Sequence, residues 1–279
     1  MEIITTAKEI HAFAQEKRKR KVRCGFVPTM GALHDGHAAL VAKAKKENEV
    51  VVVSIFVNPT QFNDTDDLEK YPRTLDADKK ILEDLAVDVL FCPNEEEVYP
   101  DLNREKYDLD GLDDGMEGKF RPGHFQGVVQ VVMRLFDLVI PTKAYFGEKD
   151  FQQLAVIRHM SIKLGYEVDI IGCPTIRNEF GLALSSRNKR LSEDGEIVAA
   201  NIYKGLKLLE ISLTSGIDLL ESKEAVAEFY KGINGLEVEY LELINPKTLL
   251  PATKEEKLMH ACIAATVDGV RLIDNLRVK

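Results

Sequence analysis

The chain contains no tryptophan, no long apolar run and only four cysteines. Cys24, Cys92, Cys173 and Cys262 stand far apart in apolar segments and form no CxxC pair. This spacing predicts buried, reduced thiols and argues against disulfides and a zinc site. No apolar stretch approaches the roughly 20 residues that a membrane-spanning helix needs, and the N-terminal segment lacks the basic-then-apolar order of a secretory signal. We therefore expect a cytoplasmic protein without a membrane partner.

Positive charge is also scarce. The chain has 37 lysine and arginine residues against 46 aspartate and glutamate residues, which gives a formal net charge of -9. Because phosphate backbones are held by accumulated basic side chains, this balance argues against a nucleic-acid partner. The basic run "KRKRKVR" at residues 17–23 ends a predicted helix, where its charges complement the helix dipole. An anionic ligand would have to be met by helix N-termini and a few placed side chains.

Two common phosphate-binding loops are missing, since neither GxxxxGK[ST] nor GxGxxG occurs. What the 279 residues do show is an alternation of apolar strand-like runs with amphipathic helical patterns. The strand-like runs cover residues 22–28, 50–58, 87–93, 143–147 and 167–176. One helical pattern starts near residue 37, and three others cover about 67–85, 125–140 and 151–165. This alternation predicts an α/β fold with a doubly wound parallel sheet, whose ligands bind beyond the carboxyl ends of the strands.

The character of the chain changes after about Thr175. Helical patterns at about 192–213 and 220–232 are followed by apolar runs at 238–246 and 260–278. The last run contains Asp268-Gly269, a hairpin turn signal between apolar stretches. We therefore predict two domains, residues 1–175 with the parallel sheet and residues 176–279 as a smaller C-terminal α+β domain.

The stretch "PTMGALHDGH", residues 28–37, directly follows the first strand of the predicted sheet. Gly31 and Gly36 allow backbone N–H groups to approach an anion, the next helix offers its positive end, and His34 and His37 could donate to phosphate oxygens. Two other interpretations stay open. The stretch could be a plain helix start capped by Asp35, or half of a metal site whose other histidine candidate is His124.

Further polar stretches follow other strands. "FVNPTQF" contains Gln61 and "GEKDFQQ" contains Gln153, and these neutral amides can orient a hydroxyl or carboxylate group. Lys149 can stand over a phosphate, and Asp150 can cap a helix or bind a ribose. A solvated charged turn explains the same residues.

Two more stretches carry basic and hydroxyl side chains. "LALSSRN" places Ser185, Ser186 and Arg187 in succession, an arrangement that suits the departing phosphates of a nucleotide or a capped turn. "RPGHFQGV" places Arg121 and His124 in a loop before a helix, where they suit a carboxylate or an ordinary surface loop.

Taken together and in this order, with "YPRT" at residues 71–74, these stretches resemble the pantothenate synthetases, or pantoate–β-alanine ligases, of vitamin B5 biosynthesis. That family belongs to the Rossmann-like nucleotidyltransferases that carry a His-x-Gly-His motif. The resemblance implies a ligase that joins pantoate to β-alanine through a pantoyl adenylate, consumes ATP with Mg²⁺, releases AMP and pyrophosphate, and forms a homodimer. Because such an adenylate hydrolyses easily, we also expect the second domain to close as a lid.

The resemblance assigns roles to matching residues. Those implied to contact ATP are Met30, Gly31, Ala32, Leu33, His34, Asp35, Gly36, His37, Gly147, Glu148, Lys149, Asp150, Ile176, Leu184, Ser185, Ser186 and Arg187, with His37, His34 and Lys149 catalytic. Those implied to bind pantoate or β-alanine are Gln61, Gln153, Asn58, Arg121 and His124. The chain departs from the expected pattern at Phe180, where an acidic residue is expected, and at Arg190, where an aromatic is expected.

Other functions stay open from the residues alone. An adenylyltransferase that stops at a stable AMP-linked product would use the same first step and would need no amine. A nucleotide sensor would bind ATP without turnover, and a metal hydrolase would hold zinc tightly.

Overall fold

The computed structural model of the chain describes residues 1–63, 65–101 and 106–279. Two compact units are present. Unit 1 comprises Met1–Asp113, Glu117–Glu148 and Gln153–Pro174, and unit 2 comprises Asp114–Met116, Lys149–Gln152 and Thr175–Lys279. The long run of unit 2 starts beside the expected domain boundary, whereas Lys149–Gln152 groups with unit 2 from within the predicted first domain. None of the described helices has the length and apolar character needed to cross a membrane.

Unit 1 is built on a six-stranded parallel sheet. Its strands are β1 (Glu2–Ile4), β2 (Cys24–Thr29), β3 (Val50–Ile55), β4 (Val89–Phe91), β5 (Lys143–Gly147) and β6 (Asp169–Cys173), in the order β1-β4-β3-β2-β5-β6. The short β1 has no counterpart among the predicted strands. The chain leaves β2 toward one side of the sheet and returns to β5 on the other side, so the topological switch point lies between β2 and β5.

Alternate strand residues supply two separate cores, which confirms the α/β fold with both sheet faces covered. Phe26 and Val52 belong to one buried cluster, and their neighbours Val27 and Val53 belong to the other. Because successive side chains point to opposite faces of a strand, such continuously apolar strands must be covered on both sides. The long apolar helix that follows "RPG" has twelve buried residues, and ten of them belong to the first cluster.

The helices associated with the sheet are α1 (Ala7–Lys19), α2 (Asp35–Glu47), α3 (Thr65–Glu69), α4 (Leu75–Asp84), α5 (Glu95–Val98), α6 (Met116–Phe120), α7 (His124–Val139) and α8 (Phe151–Lys163). The prediction of one helix over about 67–85 was wrong, because α3 ends at Glu69 and α4 begins at Leu75. Pro72 lies between them, and a proline lacks the N–H that a continuous helix needs and clashes with the preceding turn.

Unit 2 contains a three-stranded antiparallel sheet of β7 (Glu237–Ile244), β8 (His260–Val267) and β9 (Val270–Arg277), with α9 (Glu193–Ala199), α10 (Asn201–Thr214) and α11 (Leu219–Lys231). The helix predicted over 192–213 is two helices, because the Asn201 side chain donates to the carbonyls of Ile197 and Val198 and so ends α9. The predicted hairpin turn is confirmed: Asp268 and Gly269 have φ of 52° and 71° between β8 and β9.

The four cysteines are free thiols. Cys24, Cys173 and Cys262 are buried, as predicted, and Cys92 is half-buried. Burial raises the pKa of Cys24 to about 12 and that of Cys92 to about 11. Both side chains are therefore protonated near neutral pH, which makes them poor nucleophiles.

Candidate active site

The loop between β2 and α2 is held by a buried carboxylate that the sequence analysis missed. Gly31 and Ala32 take left-handed backbone conformations, with φ of 80° and 51°. Asp78, only 2% exposed, accepts the backbone N–H of Ala32 at 2.9 Å and of Leu33 at 2.8 Å, and it also accepts from the Thr74 hydroxyl. This carboxylate offsets the cost of the left-handed Ala32, since Gly31 adopts that conformation freely, and so Asp78 positions the loop.

His34, not Asp35, is the N-cap of α2, which corrects the predicted cap. Its ring Nδ1 accepts the backbone N–H of Gly36 at 3.1 Å, while Nδ1 of His37 accepts the backbone N–H of His34 at 3.4 Å. The two histidines thus form a capping box, with ring centroids 4.1 Å apart. Asp35 lies in the first helical turn, and its side chain is exposed.

This capping geometry fixes the tautomer of both rings. Since Nδ1 accepts a hydrogen bond in each ring, a neutral imidazole carries its proton on Nε2. Two N–H donors therefore accompany the positive end of α2, an arrangement suited to phosphate oxygens. A metal bound at Nε2 would require the proton on Nδ1 and would break the cap. Among the described residues, no group of three His, Cys, Asp or Glu side chains has the geometry of a metal site.

A second cluster forms around Gln61 in the 3-10 helix Pro59–Gln61 that follows β3. The side-chain N–H of Gln61 donates to Sδ of Met30 at 2.9 Å. The side-chain oxygen of Gln61 accepts from the buried Asn58 side chain at 3.2 Å. Asn58 also donates to the Gly127 carbonyl of α7 at 3.1 Å and accepts from the Tyr99 hydroxyl at 3.0 Å. The structure thus brings Met30, Asn58 and Gln61 together and adds Tyr99, which the sequence analysis missed.

The approach of α7 to this cluster depends on a glycine. A Cβ atom at Gly127 would lie 2.4 Å from the carbonyl oxygen of Thr60, and real side chains do not come so close to a backbone atom. Glycine therefore allows the 3-10 helix to rest on α7.

Arg121 and His124 hold the backbone of Gln61. His124 is 6% exposed, and its Nδ1 lies 2.7 Å from the main-chain carbonyl oxygen of Gln61. Nδ1 must donate in this hydrogen bond, because a carbonyl only accepts. Nε2 of His124 lies 3.3 Å from the Arg121 guanidinium, which also contacts the Gln61 carbonyl at 3.3 Å and the Glu117 carboxylate at 3.4 Å. The loop before α7 and the loop after β3 are thereby fixed to each other.

The predicted site residues are divided between the units. Unit 1 contains Met30–His37, Asn58, Gln61, Arg121, His124, Gly147, Glu148 and Gln153, and unit 2 contains Lys149, Asp150, Ile176 and Leu184–Arg187. Met30–His37 follow β2 and Gly147 ends β5, the two strands that flank the switch point. The Glu148 N–H donates to the Cys173 carbonyl, and the Gln153 side chain is half-buried.

The predicted residues in unit 2 are ordered by local hydrogen bonds. The side chain of Lys149 is 17% exposed, and its ammonium lies 3.6 Å from the Asp150 carboxylate. Ser185 caps the 3-10 helix Ser186–Arg190 by accepting the Arg187 N–H at 3.3 Å. The Leu184 N–H donates to the Ile176 carbonyl at 2.9 Å. Of the two departures from the expected pattern, Phe180 is 50% exposed and Arg190 ends the 3-10 helix.

Comparison with known proteins identifies one family. The sequence model described as "Pantoate-beta-alanine ligase" matches residues 2–277. The pantothenate synthetase of Bacteroides thetaiotaomicron is 47% identical over 281 residues, covering 100% of this chain and 99% of that protein. That of Cytophaga hutchinsonii is 46% identical over 276 residues, covering 98% of each.

Solved structures agree. A crystal structure of pantothenate synthetase from Thermus thermophilus matches with a TM-score of 0.93 and 42% identity, covering 100% of this chain and 99% of that one. The pantoate-beta-alanine ligase of Francisella tularensis, complexed with beta-gamma ATP and beta-alanine, matches with a TM-score of 0.83 and 39% identity, covering 100% and 98%. The match therefore runs over the full length of the chain, which belongs to the pantoate-beta-alanine ligase family.

Proposed function

We propose that the chain condenses (R)-pantoate with β-alanine to form pantothenate, with ATP converted to AMP and pyrophosphate. A carboxylate does not accept an amine near neutral pH because its carbon is a poor electrophile and oxide is not a leaving group. The pantoate carboxylate would therefore attack the α-phosphorus of ATP, forming pantoyl adenylate and releasing pyrophosphate. The deprotonated amine of β-alanine would then attack the acyl carbon, and AMP would leave.

The observation that carries this proposal is the start of α2. His34 and His37 cap the helix through Nδ1, so their Nε2–H groups accompany the positive helix end beside the switch point. Charge that develops on phosphate oxygens during adenylyl transfer is stabilised by fixed donors of this kind. We assign His37 and His34 to that role, together with Lys149 and Arg187, and Mg²⁺ would enter with ATP as part of the substrate.

For the nucleotide we propose contacts with Met30–His37, Gly147–Asp150, Ile176 and Leu184–Arg187. The cluster around Gln61 in unit 1, with Asn58, Arg121 and His124, suits pantoate. Gln61 is fixed through its side chain by Asn58 and through its backbone by His124 and Arg121. A neutral amide held in this way can orient the hydroxyl and carboxylate groups of pantoate without adding charge. We assign Gln61, Gln153, Asn58, Arg121 and His124 to pantoate and β-alanine.

Pantoyl adenylate is a mixed anhydride that water hydrolyses, so the site should exclude water until the amine arrives. We propose that residues 176–279 act as a lid that closes over the intermediate, and that the enzyme works as a cytoplasmic homodimer. A variant with the lid held open should release AMP without forming pantothenate. Full coupling of AMP release to pantothenate formation in such a variant would refute the lid.

The test is to incubate the protein with ATP, Mg²⁺ and pantoate and to measure AMP, pyrophosphate and pantothenate with and without β-alanine. We expect pantothenate only with β-alanine, and a loss of about 100-fold or more in kcat for His37→Ala. His159→Ala is the matched control, because it removes a partly exposed histidine paired with Asp110. Stable AMP-linked product formed equally with and without β-alanine would favour the adenylyltransferase, and ATP binding without turnover would favour the sensor.

A further inference from the structure

We propose that Asn275 is a positioning residue for Lys149, which it holds from strand β9 through the Lys149 main chain. Asn275 is 7% exposed, and its side-chain N–H donates to the Lys149 carbonyl oxygen at 2.7 Å. These residues are 126 positions apart in sequence, so no local pattern links them. The inference rests on the proposed function, in which Lys149 neutralises charge on the phosphates of ATP.

The orientation of the Asn275 amide is set by its second partner. Because the Lys149 carbonyl only accepts, the Asn275 nitrogen must face it, and the amide oxygen then faces Nε2 of His260 at 2.8 Å. Nε2 of His260 must therefore donate. Burial is the main cause of the lowered pKa of His260, which keeps the ring neutral with its proton on Nε2.

The His260 ring is itself fixed against the same chain segment. It stacks on the ring of Phe151, with centroids 3.8 Å apart and planes 12° from parallel. Phe151 is the first residue of α8 and follows Lys149 by two positions. Two residues of the C-terminal sheet therefore hold the segment Lys149–Phe151. Asn275 forms a hydrogen bond to its main chain, and His260 stacks on its aromatic ring.

The residue before Asn275 holds the turn that leads to Leu184–Arg187, a segment proposed to contact ATP. Asp274 is 4% exposed and forms a bidentate pair with Arg177, at 2.6 and 2.9 Å. Arg177 also donates to the Gly181 carbonyl at 3.1 Å, and its guanidinium lies 3.8 Å from the centre of the Tyr203 ring. Adjacent residues of β9 therefore fix both Lys149 and the turn that leads to Leu184–Arg187.

This arrangement fixes the main chain from which the Lys149 side chain extends. Lys149 has a long side chain, and a shift of its main chain of about 1 Å is enough to cost a large part of the rate when a charge must meet a phosphate. A peptide held by a buried amide does not make that shift. Asn275 touches neither substrate in this scheme and acts only through Lys149.

The test is a double-mutant cycle on the full-length protein, measuring kcat/KM for ATP in the AMP-release assay. Asn275→Asp keeps the shape but sets a carboxylate oxygen against the Lys149 carbonyl, and we expect a loss of about tenfold. In a Lys149→Met background the same change should cost less than about twofold, because the side chain being positioned is gone. Asn201→Asp is the matched control: that amide also donates to main-chain carbonyls of unit 2. It should cost stability and leave kcat/KM unchanged.

Equal losses from Asn275→Asp in both backgrounds would reduce Asn275 to a structural residue and overturn the inference. So would wild-type kcat/KM in the folded variant. If Asn275→Asp fails to fold, His260→Phe replaces it, since it keeps a ring on Phe151 and removes only the donor to Asn275, with the same dependence on Lys149 expected. Failure of the wild type to release AMP would instead overturn the proposed function, and the inference with it.

Discussion

Asp78→Asn is the sharpest test of how the loop before α2 is held. Asp78 accepts two backbone N–H groups, those of Ala32 and Leu33, at 2.9 and 2.8 Å. Asparagine keeps one acceptor oxygen but turns an NH2 group toward the other backbone N–H. The lost charge-assisted hydrogen bond contributes about 1.5–3 kcal/mol and the orphaned buried N–H costs about 1–3 kcal/mol, so we expect the free energy of unfolding to fall by about 2.5–6 kcal/mol.

The loop should also lose its shape. Gly31 and Ala32 both occupy the left-handed region, which costs a non-glycine residue about 1–2 kcal/mol and is offset here by the carboxylate. We therefore expect the Kd for ATP to rise about tenfold or more in Asp78→Asn.

Urea unfolding followed by circular dichroism gives the free energy of unfolding, and calorimetric titration gives the Kd for ATP. The matched control is Asp76→Asn, two positions away on α4, where the side chain is fully exposed and pairs only weakly with Lys79 at 3.7 Å. That variant should match the wild type in both measurements. If Asp78→Asn and Asp76→Asn behave alike, the carboxylate does not hold the loop.

Further experiments test the role of His34, the packing at Gly127 and the burial of the cysteines. His34→Asn keeps a good helix cap but removes the ring Nε2–H, so we expect unchanged thermal stability and a fall in kcat. A loss of thermal stability that accompanies the fall in kcat would instead show that His34 acts only as a helix cap. Gly127→Ala, which ordinarily favours a helix, should destabilise by about 1–3 kcal/mol in urea unfolding because its Cβ meets main chain. Burial raises the pKa of Cys24 to about 12 and of Cys92 to about 11, so a thiol reagent at pH 8 should modify both slowly until urea is added, and a fast reaction of Cys24 in the folded protein would refute its burial.

Most of the sheet could be predicted because its strands are largely apolar and alternate with helical patterns. The strand predicted at 143–147 has the bounds that the structure gives to β5. Two of the errors fall where a single residue interrupts an otherwise periodic segment, as Pro72 does between α3 and α4 and Asn201 does between α9 and α10. Hydrophobic periodicity averages over a window and does not register such breaks.

The candidate site could be predicted from the sequence only where its residues lie in short motifs. Asp76 and Asp78 both read as acidic residues of the first turn of α4, although Asp78 shares a helical face with the buried Leu82, four residues later. They differ because Asp78 faces a loop 45 and 46 residues earlier, and Asp76 faces solvent. Asn275 was missed for the same reason. A residue that holds a motif in place from a distant element carries no local signal of which segment it holds.

The two histidines of "HDGH" show why a structural explanation does not displace a functional one. His34 and His37 do form a helix start, since their Nδ1 atoms take up backbone N–H groups of the first turn. That use of Nδ1 forces the proton of each neutral ring onto Nε2. The cap therefore prepares two donors at the positive end of α2, next to the sheet's switch point, and it does so before any ligand binds. The helix start and the proposed phosphate site are consequently one arrangement of the same atoms.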